Sequence, residues 1–287
     1  RKIRVAAYFA AQNWQGIIDD TNYLSEQEKI IKQDQKSQEK SNTTSTKNSL
    51  LDENLLEWRG FAFYVTGMPL KALECFNSII EQFPESSLGY ADAALIYIET
   101  GMLSEAEKLI NTALTKENKG AKLYFEKAEL DLLLKRDQEA LKALDQAIQI
   151  KPDYASALKL RAGIAFKNSN LELAKESLEK LLALRETANF KEELQLADIL
   201  SRLGEEDAAK ARRMKAMTMP LSSSADYMER ARFSKEHGLS LKGFFEFAKD
   251  DYLKAFAADH KNIAAIYALC ALYEKKGENQ KLLELLR

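Results

Sequence analysis

The sequence predicts an all-α chain, an extended array of helices joined by short connections. Three observations predict it. Residue types recur at a step of 34 positions: Gly67 and Gly101; Ala72, Ala106, Ala140 and Ala174; Gly60, Ala94, Ala128 and Ala162; and the large apolar Phe76, Ile110, Leu144 and Leu178. Four prolines and eleven glycines in 287 residues are too few turn formers for an all-β chain. Finally, the stretch "YIETGMLSEAEKLINTAL" is dense in helix formers but carries Gly101, which in a helix interior would cost about 1 kcal/mol relative to alanine. A fixed period of this length marks a repeat architecture. Gly101 is therefore read as ending one helix near Thr100 and letting the next begin near Ser104.

Composition narrows the function classes. Apolar residues make up 46% of the chain, enough for a sizeable core. The 42 basic and 44 acidic residues leave a formal charge of −2, which argues against a protein whose main task is neutralising nucleic-acid phosphates. Cys75 and Cys270 are too far apart in sequence to form a disulfide framework, and they favour a reducing, cytoplasmic-type compartment only weakly. No apolar run approaches the roughly 18 residues that suggest a membrane span, and no secretory signal is visible. The chain starts at Arg1 and ends within a helical pattern, "KLLELLR", so it is expected to be a fragment or a processed chain.

The stretch "GFAFYVTGMPLKALECFNSIIEQFP" places a small residue (Gly60), an aromatic (Phe63), Gly67, Ala72, Phe76 and Pro84 in order. "KRDQEALKALDQAIQIKPDYASA" repeats the order through Ala140, Leu144, Ala147 and Pro152. This pattern resembles the tetratricopeptide repeat. The resemblance implies an α-solenoid of helix-turn-helix units forming a right-handed superhelix, in which the small ladders sit where helices cross and the large ladders fill the space beside them. A single unit cannot bury its apolar stripe alone, so each depends on its neighbours.

In chain order, residues 1–31 form a degenerate first unit, with Tyr8, Trp14 and Leu24 in place and Ile17 where alanine is usual. Residues 32–52 form a polar insertion whose segment "KQDQKSQEKSNTTSTKNS" contains no apolar side chain and cannot offset its ordering entropy by burial. Its first half is expected to extend the preceding helix and "SNTTSTKNS" to be a loop. Units follow at 53–86, 87–120, 121–154 and 155–188, then after a one-residue slip at 190–223. Within 224–287, further units are placed at 229–262 and, cut short, at 263–287. Gly204, Gly243 and Gly277 take the turn position of Gly101; Lys135 and Ser169 replace glycine there, and Asp131 stands where an aromatic is usual. Glu236 replaces a small residue, so a bent or shortened first helix is expected in 229–262.

No catalytic, cofactor or metal signature is present. His237 and His260 lack partners at metal-ligand spacing, and His260 is expected to be exposed at a helix end. The pairs Asp19–Asp20 and Asp250–Asp251 are adjacent on helices and read as solvated faces. Cys270 is expected to be buried and Cys75 partly exposed. The basic run "KARRMKAM", Lys210 to Met217, reads either as a solvated face or as a docking surface for an acidic partner.

The resemblance implies a concave groove lined by the first helix of each unit. Carried over residue by residue, it gives Phe61, Tyr64 and Val65; Leu95 and Ile98; Phe125, Glu129 and Leu132; Lys159, Phe166 and Lys167; and Asp198 and Arg202. Glu57 and Phe61 stand where some relatives carry the Lys and Asn of a carboxylate clamp, so no such clamp is expected in 53–154. The expected function is a scaffold that holds a partner peptide or helix, with no catalysis, no cofactor, no nucleic acid and no membrane insertion. The alternative is the regulatory or substrate-presenting arm of a larger enzyme or of a secretion or assembly machine. "NQKLLELLR" carries four leucines on a terminal helix with no following unit to cover it, so either the parent protein continues or this end self-associates.

Overall fold

The computed structural model describes residues 2–38, 50–184, 189–237, 244–276 and 280, with the backbone alone at 34–38, 235–237, 244–245 and 275–276. Among these residues there is no strand, only an isolated bridge between Ser86 and Asn118. The chain divides into two compact units, Arg1–Asn168 and Ser169–Arg287.

The first unit contains α1 (Lys2–Ala10), α2 (Trp14–Gln38), α3 (Glu53–Val65), α4 (Pro69–Gln82), α5 (Leu88–Glu99), α6 (Leu103–Leu114), α7 (Ala121–Leu133), α8 (Asp137–Ile150) and α9 (Ala155–Lys167). Helices α1 to α8 pair as hairpins in chain order, and each hairpin packs on the next. Local sequence sets the ends. Asp52 accepts a bond from the Leu55 N–H and so caps α3, while Pro69 opens α4 where its missing N–H costs nothing.

One turn geometry joins the two helices of each pair. After α3, the Met68 N–H reaches back to the Phe63 carbonyl at 2.8 Å and the Gly67 N–H to Tyr64 at 3.0 Å, with Gly67 at φ 78°. The same bonds recur around Gly101 (φ 76°), Lys135 (φ 59°) and, between α1 and α2, Gln12 (φ 54°). This is the Schellman closure, which satisfies the last helix carbonyls and needs a left-handed residue. Gly67 and Gly101 take that conformation freely, whereas a side chain there costs about 1–2 kcal/mol. Lys135 accepts the cost because the turn, not the residue type, is what the repeat preserves.

Packing between the paired helices explains the small ladder. A Cβ on Gly60 would lie 2.4 Å from the Phe76 ring. In the next hairpins Ala94 and Ala128 replace the glycine, and the smaller Ile110 and Leu144 replace the phenylalanine; all are buried. Small and large residues are exchanged in matched pairs. At the open end of the hairpins, Asn118 stands one 34-residue step after Pro84; its N–H bonds the Glu85 carbonyl at 3.3 Å and its own carbonyl accepts from the Ser87 N–H at 3.1 Å. A proline at 118 would lose the first of these bonds.

The second unit contains α10 (Leu171–Ala183), α11 (Phe190–Arg202), α12 (Glu206–Thr218), α13 (Ser224–His237), α14 (Phe244–Ala258) and α15 (Ile263–Lys276). Its turn residues Ser169 (φ 58°) and Gly204 (φ 83°) keep the left-handed geometry. Helix α13 begins at Ser224, earlier than the expected unit start at 229. A buried ion pair ties α13 to α14: Arg230 donates twice to Asp251, both at 2.8 Å, and also to the Ala216 carbonyl at 3.0 Å.

Several expectations are corrected. Asp20 and Asp251 are not on solvated faces. Both are buried, Asp20 paired with Arg4 and Asp251 with Arg230, because each carboxylate finds a guanidinium on the neighbouring helix. The cysteines are also reversed: Cys75 is 6% exposed, within the core around Phe76, while Cys270 is half-buried. Asp131, in its aromatic position, is buried and paired with Lys127. His260 is exposed, against the edge of Phe256. Helix α2 extends to Gln38, into the first half of the insertion. Gly243, Gly277, the "SNTTSTKNS" loop and the last seven residues lie outside the described residues. No helix among the described residues is long and apolar enough to cross a membrane.

Candidate functional site: the first-helix face of α3, α5 and α7

Helical spacing places Glu57, Phe61 and Tyr64 on one face of α3, Asp92 and Glu99 on one face of α5, and Lys122, Glu126 and Glu129 on one face of α7. Helix α5 packs against both α3 and α7, and these faces are joined by polar contacts. Lys122 on α7 donates to Glu57 on α3 at 3.2 Å and pairs with Asp92 on α5. The Tyr64 hydroxyl on α3 donates to Glu99 on α5. Just before α9, Tyr154 sets its ring 5.2 Å from Phe125.

Burial makes this group electrostatically unusual. Asp92 is 1% exposed and Glu126 is 3% exposed. Burial pushes the Asp92 carboxyl up to about 7, against the opposing pull of the Lys122 ammonium. It pushes Glu126 up to about 9, helped by the charge of Glu129 beside it. Glu129 is also raised, chiefly by burial, though its hydrogen bond with Glu126 opposes this. Burial disfavours the charge on Lys122 as well, but the pull of Asp92 and Glu57 outweighs it and holds the ammonium above its ordinary value. Tyr64 and Tyr154 are each raised to about 12, by burial first, then by the Glu99 bond and the Glu126 charge respectively. Oδ2 of Asp92 and Oε2 of Glu126 are buried without a hydrogen-bond partner. Beside Lys122, at the N-terminal ends of α5 and α7, a cavity of about 470 Å³ opens between Glu53, Ser87, Ala91 and Lys119.

The residues expected from sequence are distributed unevenly over this surface. Phe61 is half-buried, packed edge-on to Trp14 at 5.7 Å and near Phe9 at 6.1 Å, so the N-terminal helices cover part of it. Tyr64, Leu95, Phe125, Glu129 and Leu132 are half-buried on the first helices, and Val65 is exposed. Ile98 is 8% exposed and packs into the core with Ala94 and Ile110. On α9, Lys159 is exposed, Phe166 is half-buried, and Lys167 pairs with Asp137 at 2.8 Å. In the second unit Asp198 and Arg202 pair with each other along α11 at 3.1 Å. The basic run of α12 is partly neutralised on the chain itself: Arg212 and Lys215 both reach the buried Glu193, at 3.2 and 2.7 Å.

Sequence reasoning missed Asp92, Glu99, Lys122, Glu126 and Tyr154. The signal was present, since Asp92 to Glu99 and Lys122 to Glu129 share the spacing of Glu57 to Tyr64. Among the described residues no group of three or more side chains is arranged to hold a metal ion.

Comparison with known proteins agrees with this architecture. Residues 55–86 and 121–154 each match a tetratricopeptide-repeat model. The structure of pilF from Pseudomonas aeruginosa superposes with a TM-score of 0.56 at 17% identity, over 79% of this chain and 96% of that one. The C-terminal part of a tetratricopeptide-repeat protein from Cytophaga hutchinsonii gives 0.52 at 18% identity, over 79% and 98%. At these identities the likeness is one of fold. A search of curated sequences finds no match. Residues 55–86 and 121–154 thus carry the tetratricopeptide-repeat pattern, and the stacked hairpins of the chain have the fold of tetratricopeptide-repeat proteins.

Proposed function

We propose that this chain is a protein-interaction scaffold that holds a segment of a partner protein along the first-helix face of α3, α5 and α7, without catalysis of its own. The supporting observation is the convergence on that face of half-buried aromatic and apolar side chains around a polar centre. Tyr64, Leu95, Phe125 and Leu132 offer partly covered apolar surface, the kind that anchors a helix or an extended segment. The large side chains of the core ladder, Phe76, Ile110 and Leu144, lie on the second helices and are fully packed inward.

The test is the affinity of the full-length protein for its purified partner. Phe125→Ala removes a half-buried ring, which the neighbouring Tyr154 does not replace. The expected result is unchanged helicity and an affinity weaker by about tenfold or more. A folded variant with full affinity refutes the proposal.

A further inference from the structure

We propose that the polar centre of this face, between α3, α5 and α7, receives a cationic side chain of the partner segment, best matched by the guanidinium of an arginine. The inference rests on the scaffold reading above and names the chemistry that the site selects.

The carboxylates of Glu57, Asp92, Glu99, Glu126 and Glu129 converge there from three helices and outnumber the one ammonium of the group, Lys122. Lys122 is used by Glu57 and Asp92. Glu126 is left beside another carboxylate, Glu129, whose charge adds to burial in disfavouring the ionisation of Glu126. A solvated acidic face would carry no such consequence. Here Glu126 is more than nine-tenths buried, is turned into the cluster, and has an oxygen without a hydrogen-bond donor. Asp92 has another such oxygen. Buried acceptors without donors are costly, and a ligand that brings several N–H donors with a positive charge removes the cost.

The surroundings discriminate among cations. The Lys122 ammonium disfavours a compact divalent ion next to it. The rings of Phe125, Tyr154 and Tyr64 border the carboxylates. A planar guanidinium can stack on such rings while its edge bonds the carboxylates, which a point-like ammonium does less well. Proton balance follows. Free of ligand, the cluster retains protons on Glu126 and in part on Asp92; a bound cation stabilises the carboxylates, and the displaced protons pass to the buffer. The groups that face this centre are Glu57 and Tyr64 from α3, Asp92 and Glu99 from α5, Lys122 and Glu129 from α7 itself, and Tyr154 from the start of α9.

The probe is a set of labelled peptide pools, nine residues long, with uncharged residues at all flanking positions and Arg, Lys, citrulline, Leu or Glu fixed at the centre. Their binding to the full chain is read by fluorescence anisotropy at about pH 8. The expected result is that the arginine pool binds about tenfold or more tighter than the citrulline pool, which has the same shape without the charge. Glu126→Gln should reduce that preference to about twofold or less, and Glu129→Gln serves as the second variant should the first not fold. Calorimetry in two buffers of different ionisation enthalpy should show proton release on binding the arginine pool. Equal affinity for arginine and citrulline, tightest binding of the leucine or glutamate pool, or no binding of the arginine pool each overturn the inference. Loss of charge preference with leucine-pool binding intact would leave the scaffold reading standing. Failure of every pool, with full partner affinity in Phe125→Ala, would remove both.

Discussion

Glu126→Gln should raise the stability of the first unit at mildly alkaline pH, although it removes a buried charged-type residue. The ordinary glutamate value is 4.5, and burial beside Glu129 raises it to about 9 in the folded chain. Between those values the folded state keeps a proton that the unfolded state has released. Stability is therefore greatest at the acidic end of the window, falls as pH rises, and levels off above about 9. Each unit of pH within the window is worth about 1.36 kcal/mol. From about pH 5 to about pH 8 the gross loss is thus ~4 kcal/mol, and local relaxation and water entry reduce it to ~2–3 kcal/mol. Glutamine has the shape of the protonated acid but does not titrate. The variant should lose most of this slope and exceed the natural chain by ~2–3 kcal/mol at about pH 8, with a small difference at about pH 5. Both tryptophans, Trp14 and Trp58, lie in the first unit, so urea unfolding followed by their fluorescence reports the right region. Parallel pH profiles for the two chains, or a variant less stable at both pH values, would refute the burial argument.

Further predictions concern the fold. Lys135→Gly should stabilise the chain by ~0.5–1 kcal/mol by relieving its left-handed backbone, whereas Gly101→Ala should cost ~1–2 kcal/mol although no atom lies within 4 Å of the new Cβ; urea midpoints with the opposite signs would contradict the turn analysis. Gly60→Ala should cost ~1–3 kcal/mol by pressing on Phe76. Adding Phe76→Leu should cost less in that background than in the natural chain, and strict additivity in the double-mutant cycle would show that the two residues are not matched. In the second unit, Arg230→Met should cost ~3–5 kcal/mol by leaving Asp251 buried without its partner. That unit has no tryptophan, so near-ultraviolet dichroism of its tyrosines is the readout, and an unchanged melting temperature would count against the pair.

The fold was legible because the repeat constrains residue size at positions where helices touch. Gly60, Ala94 and Ala128 must be small, and Phe76, Ile110 and Leu144 must fill the space each leaves. Even the departures followed the period: Lys135 and Ser169 lack glycine's freedom and still adopt its left-handed backbone, and the Lys135 turn closes the same hydrogen bonds as the glycine turns. Charged residues were less legible. Asp20, Asp251, Asp92 and Glu126 look in sequence like solvated positions, because nothing local says whether a partner waits on the next helix. Arg4, Arg230 and Lys122 supply the partners of Asp20, Asp251 and Asp92 from elsewhere in the chain. The expected groove residues were carried over by position on the first helices, and Asp92, Lys122 and Glu126, on two of the same helices, were not among them. Ile98 shows the converse, an apolar residue of the same helix that the core takes up.

The measurement that bears most directly on the binding face is site-specific photo-crosslinking in cells that express the full-length protein. A benzophenone amino acid is placed in turn at Val65, Leu95 and Leu132 on the first helices, and at Leu70 and Ile150, which are exposed on α4 and α8. Adducts to one common partner from the first set, and none from Leu70 or Ile150, are the result that a partner held along α3, α5 and α7 requires. Adducts from the second-helix positions with none from the first would contradict it.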